Sequence, residues 1–148
     1  MPSLKDKVSP EEWRARVDLA ACYRLVRAQG WNTGINNHIS HRVPGEDDYF
    51  LMKAHRLMWD EVTASNLVKV NMNEELDEAA GVNRPGFVLH SAILRARDDV
   101  NACVHIHEES SIAVSTLKDG LLPLTQDAIF LYDRVAYHDY QGITEDAS

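Results

Sequence analysis

A chain of 148 residues with 45% hydrophobic and 26% charged residues has the make-up of a globular domain large enough to bury a real core. A net charge of -8 with no Lys/Arg-rich run argues against nucleic acid or an anionic membrane as partner, and no apolar stretch reaches membrane-spanning length. Cys22 and Cys103 make no disulfide framework and no signal peptide is visible, so the expectation is a soluble, cytoplasmic protein folded as one domain over residues 1–148.

Residues 1–8 read as a loose polar lead-in. Ser9-Pro10-Glu11-Glu12 carries three helix-start signals together: Ser as N-cap, Pro at the first helical position and Glu at the capping-box position. Trp13, Val17, Ala20, Ala21, Leu25 and Ala28 then recur at helical spacing as the expected docked face, and Gly30 ends the helix. Trp31 to Asn37 is loop chemistry, rich in Asn and Gly, which tolerate left-handed backbone and can aim amide donors at an anion. From there the chain alternates, with Ile39 on one side and His38 and Ser40 on the other. This makes Asn37, His38 and Ser40 candidate substrate-binding residues; a polar turn leading into an edge strand is the structural alternative.

Pro44 to Asp48 is a tight acidic turn, so Asn37–Val43 and Tyr49–Lys53 are expected to pair as a hairpin. His55 reads as a solvated loop residue, Glu61–Asn66 as a short turn, and Leu67–Met72 as an alternating strand. Residues 73–84 are polar and aperiodic, a surface loop long enough to suggest a role. Pro85-Gly86 opens a helix in which Phe87, Val88, Leu89, Ala92, Ile93, Leu94 and Ala96 cover most of the circumference, as expected for an element covered on more than one side. Arg97-Asp98-Asp99 interrupts it.

Asn101 to His107 alternates strictly, with Cys103, His105 and His107 on one face. Residues two apart on a strand start roughly 6–7 Å apart, so the two imidazoles can converge on one ion. Neutral imidazoles suit zinc or a similar divalent ion, which makes His105 and His107 the metal candidates; two hydrogen-bonded strand histidines are the plainer alternative. Beyond them, Glu108–Thr116 is expected to be helical with Ile112 and Val114 inward. Gln126–Asp133 is expected to form another helix and Val135–His138 another strand. Helices mixed with hairpin-like strands indicate an α/β layered domain with a mixed sheet.

Several stretches together resemble the class II aldolase/adducin family: Asn36-Asn37-His38-Ile39-Ser40-His41-Arg42, Glu61 to Val68, Gly86-Phe87-Val88-Leu89-His90-Ser91-Ala92, His105-Ile106-His107, Gly120-Leu121-Leu122-Pro123, and an adducin-like Val135 to Gly142. The resemblance spans about residues 10–142 and implies a three-layer α/β/α sandwich around a mixed, largely antiparallel sheet. It also implies a divalent metal, most often Zn2+, held by His105, His107 and a third histidine farther along. The chain departs from the aldolases in three places. Gly86 stands where they carry the acid/base carboxylate. Asn37-His38 and Ala54-His55 stand where they carry phosphate-binding pairs. The third metal histidine falls beyond residue 148, and His138 does not match it, so the C-terminal elements of the domain are expected to be missing.

Two functions follow. One is a metal-dependent lyase acting on a small carbonyl or carboxylate substrate, by aldol cleavage or decarboxylation. Gly86 favours decarboxylation, because loss of carbon dioxide needs no base at that step. The other is a non-catalytic adducin-like scaffold or protein-interaction domain. The resemblance further implies a homo-oligomer, most simply a tetramer.

Overall fold

The computed structural model describes residues 2–140, 142 and 143. The first helix, α1, runs from Pro10 to Ala28, and both of its ends are closed by the residues that signal them in the sequence. The Ser9 hydroxyl accepts from the Glu12 N–H at 3.0 Å. At the other end Gly30 sits at φ 73, with its N–H on the Arg27 carbonyl and the Trp31 N–H on the Val26 carbonyl, the crossed pair of a Schellman stop.

The buried face of α1 differs from the expected one. Ala15, Leu19, Ala20, Tyr23 and Val26 are buried, whereas Val17 and Leu25 are 44% and 65% exposed. Glu12 and Arg16 lie on the buried side, joined at 2.8 Å. The Glu12 carboxylate also meets Lys69 at 3.2 Å instead of reaching back to the cap. Apolar periodicity misses such a stripe because charged residues that neutralise each other can sit within it.

Strands β1 (His38–Val43), β2 (Glu46–Lys53), β3 (Leu67–Asn71) and β4 (Ala102–His105) form one sheet in the order β3-β2-β1-β4. Every pairing is antiparallel, in keeping with the largely antiparallel sheet expected, and no parallel pair occurs among the described residues. β1 lies inside the sheet between β2 and β4, which overturns the edge-strand alternative for His38–Arg42. The hairpin turn is tighter than expected. Val43 already pairs with Glu46, and Pro44-Gly45 makes the corner with Gly45 at φ 80.

Phe50, Leu51 and Met52 are consecutive and all fully buried, which requires a layer on each face of β2. Leu51 packs with Leu19, Tyr23, Ile39, Trp59 and Val62 beneath α1. Phe50 and Met52 pack with Val70, Met72, Phe87 and Leu94 beneath a second helix, α2 (Arg84–Ala96). The result is the three-layer α/β/α arrangement. α2 is covered on one side only: Gly86, Phe87, Val88, His90, Ser91 and Leu94 are buried while Ile93 is 37% exposed. The stretch before it is more than a surface loop, since it holds a 3-10 turn at Glu78–Ala80 and lends Leu76 and Val82 to the core.

The last part of the chain departs furthest from expectation. α3 (Glu109–Ser115) buries no side chain, and Ile112, expected inward, is 47% exposed. The next helix, α4, is only Gln126–Phe130, and Val135–His138 forms no strand. No helix among the described residues is long and apolar enough to cross a membrane.

Candidate functional site

The β1–β4 register sets the site. His38 lies directly opposite His105, so the two imidazoles stack with ring centroids 4.7 Å apart and planes 15° from parallel. His107 follows just after β4, and its Nε2 comes within 3.1 Å of His105 Nε2. Two nitrogens each about 2.0–2.1 Å from a zinc ion at a tetrahedral angle stand roughly 3.3 Å apart, so this pair fits a divalent ion with little adjustment. Among the described residues no third His, Cys, Asp or Glu joins them in a cluster able to hold an ion.

Behind this pair stands a buried hydrogen-bonded chain that no local pattern reveals. His90, on the inward face of α2, places Nε2 2.8 Å from His38 Nδ1 and Nδ1 2.5 Å from the Ser40 hydroxyl. Burial lowers the His38 imidazole to about 3, reinforced by the neighbouring His90 and His105. Burial lowers His90 to about 4, with His105 adding to it. His105 is shifted downward as well, by burial first and His107 second. These three rings are therefore neutral near physiological pH, the form in which imidazole donates a lone pair.

A cleft of about 420 Å³ opens in front of these rings, and Asn37, His38, His55, Pro85, Leu89, His105 and His107 line it. Asn37 adopts φ 67. Its Oδ1 accepts from the Thr33 N–H at 2.8 Å, which turns its Nδ2 away; that donor is buried without a hydrogen-bond partner. Asn37 as a whole is 4% exposed, so this orphaned donor is closed to the cleft as the site stands, and an unpaired buried group of this kind calls for a functional explanation. Of the sequence candidates, Asn37, His38, His105 and His107 thus meet in one place. Ser40 is fully buried, and its hydroxyl faces His90 instead of the cleft. His138 is exposed and absent from the cleft wall.

Three further residues contribute that the sequence does not single out for the site. His90 stands in the Gly86–Ala92 stretch that carries the family resemblance, but the sequence assigns it no role in the site. His55 was read as solvated, yet it is half-buried in the cleft wall. Lys53 ends β2, and its ammonium, 2% exposed as a residue, donates to the carbonyls of Ile35 at 2.6 Å and of His55 and Leu57 at 3.1 Å. It ties together the two loops that frame the cleft, and burial pushes it down to about 8. The only sequence signal for it was a lysine closing the apolar run Phe50-Leu51-Met52. A more voluminous cleft, about 530 Å³, lies near Arg42, Asp47, Asp98 and Asn101, but it contains none of the candidates. Its Arg42 is committed to the carbonyls of Val100, Leu94 and Arg97.

The class II aldolase and adducin N-terminal domain family matches residues 17–148. The fold is similar to that of an aldolase II superfamily protein from Pseudomonas syringae, with TM-score 0.91 and 49% identity over 99% of this chain and 60% of that one. It is also similar to the L-fuculose 1-phosphate aldolase of Glaciozyma antarctica, with TM-score 0.74 and 28% identity over 90% of this chain and 54% of that one. Mouse alpha-adducin is 48% identical over 135 residues, which is 88% of this chain and 18% of the adducin. The chain spans about half the length of the bacterial relatives it matches, 56% and 53% of two of them.

Proposed function

The chain belongs to the class II aldolase and adducin family, and on that premise we propose that it is a divalent-metal-dependent carbon–carbon lyase for a small carbonyl or carboxylate compound. The observation that carries this reading is the convergence of His105 Nε2 and His107 Nε2, 3.1 Å apart, on the same cleft that holds the unpartnered amide of Asn37. His105 and His107 would hold the ion, most simply Zn2+, whose contribution there is Lewis-acid polarisation of a substrate oxygen. Asn37 Nδ2, without an internal partner, would donate to a second oxygen of the substrate once the cleft wall shifts to admit one, and so fix its orientation. Pro85 and Leu89 give the cleft an apolar wall that limits water.

Decarboxylation fits better than aldol cleavage, because the space beside Gly86 is taken by the neutral His38 ring and not by a carboxylate. The test is metal content of the purified protein together with carbon dioxide release from hydroxy- and keto-acids, and aldol cleavage of hydroxyketones as the comparison. Chelator-sensitive turnover supports the reading. Absence of divalent-ion binding sinks it.

The second reading is an adducin-like, non-catalytic interaction domain. What favours it is the same glycine, together with the 48% identity to alpha-adducin. Under either reading we propose a cytoplasmic homo-oligomer, a tetramer in its simplest form, in line with exposed apolar residues such as Leu124 at 80% and Phe130 at 68%. Light scattering coupled to size exclusion reads this directly, and a monomer at all concentrations would refute it.

A further inference from the structure

Gly86 sits in the first turn of α2 with its N–H on the Asn83 side chain at 2.8 Å, and its backbone is ordinary helix. Nothing in that conformation calls for glycine, and alanine would favour the helix. The nearest obstacle to a side chain is His38: a Cβ on Gly86 would lie 2.6 Å from Cδ2, 2.7 Å from Nε2 and 2.9 Å from Cγ of its ring. The absent side chain is therefore the room in which the His38 imidazole lies.

The ring in that space is held on every side. Its Nδ1 is bonded to His90 Nε2 at 2.8 Å, and His90 is anchored in turn to Ser40 at 2.5 Å. One face of the ring lies flat on His105 at 4.7 Å. His38 itself is 7% exposed and His90 1%, so neither ring has freedom to turn. His105, by contrast, ends an edge strand and is only half-buried, with no hydrogen bond from its Nδ1 among the described residues. A ligand imidazole is ordinarily oriented by a hydrogen bond to its second nitrogen. Here the stacked ring of His38 stands in that role.

We infer that His38 is a positioning residue for the His105–His107 pair, and that Gly86 is glycine in order to admit it. The inference rests on the metal-pair reading above for its consequence, though not for its geometry. His38, fixed by His90 and Ser40, holds the His105 ring in the plane that brings its Nε2 to His107.

The test uses four variants of the full chain. His38→Asn keeps a polar atom near the place of Nδ1 for His90 but removes the stacked ring. Gly86→Ala pushes the ring away, His38→Ala deletes it, and Gly86→Ala/His38→Ala combines the two without a clash. In metal-free protein, the NOE between the His105 and His107 rings, which reports their relative orientation and not merely a lost ring current, should weaken in His38→Asn and in Gly86→Ala, and the double variant should match His38→Ala. Titrated with Zn2+, His38→Asn and Gly86→Ala should bind about 10–100-fold more weakly at unchanged stoichiometry, the usual cost of losing an orienting partner. Again the double variant should be no worse than His38→Ala.

An unchanged His105–His107 NOE with wild-type Zn2+ affinity in His38→Asn overturns the inference. So does a double variant in which the two effects simply add, since Gly86 would then act independently of His38. If the wild-type protein takes up no Zn2+, the proposed function fails, and the metal-free His105–His107 NOE alone decides: weakened, it upholds the positioning; unchanged, it ends it.

Discussion

The hydroxyl of Tyr23 stands where Ile39 and Lys53 would otherwise pair. The β1–β2 register runs through Ser40↔Met52. One step further, the phenol accepts from the Ile39 N–H at 2.8 Å and the Lys53 N–H at 3.3 Å, and donates to the Ile39 carbonyl at 2.6 Å. A side chain from α1 thereby closes the ladder at the point where the two strands part to form the cleft. His38 and Lys53, on either side of that fork, leave toward the site.

Replacing Tyr23 with Phe removes three hydrogen bonds inside a fully buried shell that also holds Trp59, 4.8 Å away ring to ring. The expected loss is about 1–3 kcal/mol of unfolding free energy, the cost of leaving buried backbone groups unpaired. Urea denaturation reads it directly. A loss near zero would mean that the strands zip one residue further without the phenol, and the cleft would then change shape.

His105→Ala and His107→Ala should each abolish stoichiometric binding of a divalent ion, because a site with so few protein ligands does not survive losing one. Elemental analysis after dialysis, with calorimetric titration of Zn2+, checks this. Retained full occupancy in either variant would place the ion elsewhere.

Asn37→Asp keeps an oxygen for the Thr33 N–H but exchanges the unpaired donor for a buried acceptor, so affinity for an oxygen-bearing ligand should fall and the ionised carboxylate should cost some stability. Asn37→Ala should cost stability in addition, on the order of 1 kcal/mol, because it loses the Thr33 bond and keeps a left-handed backbone. Comparing melts with ligand titrations of the two variants separates these roles. Equal ligand affinity in Asn37→Asp and wild type would show that the amide donates to nothing outside the chain.

His90 gives the fold an acid-side weakness. Its folded value of about 4 is below the ordinary value near 6.5, so in that interval the unfolded chain binds a proton that the folded chain excludes. Stability from this group is complete above pH 6.5 and is lost as pH falls toward 4, by on the order of 3 kcal/mol. Metal-free protein melted across that range should show the slope, to which the similarly depressed His38 also contributes, and His90→Gln should reduce it. An unchanged slope in the variant would assign the acid lability to other groups.

Much of the architecture was legible along the chain. Ser9-Pro10 and Gly30 delimit α1, Pro44-Gly45 turns the hairpin, and alternation placed Cys103 and His105 on one face of β4. The His-x-His pair and the Asn-rich loop before β1 were visible for the same reason. Caps, turns and side-chain periodicity follow from the geometry of a single helix or strand, so a local stretch of sequence carries them in full.

What only the tertiary structure decided is which faces meet. Two stripes of α1 were comparably apolar, and the one chosen includes Glu12 and Arg16, made buriable by each other and by Lys69. The chain Ser40–His90–His38 joins residues 50 and 52 positions apart. Gly86 has meaning only against the His38 ring that fills its place. The amino-acid sequence by itself determined the elements, their ends and the candidate ligands, because those depend on neighbours in the chain. The packing of α2 across β1 determined the site, because a hydrogen bond or a steric vacancy between distant residues exists only once the layers have closed.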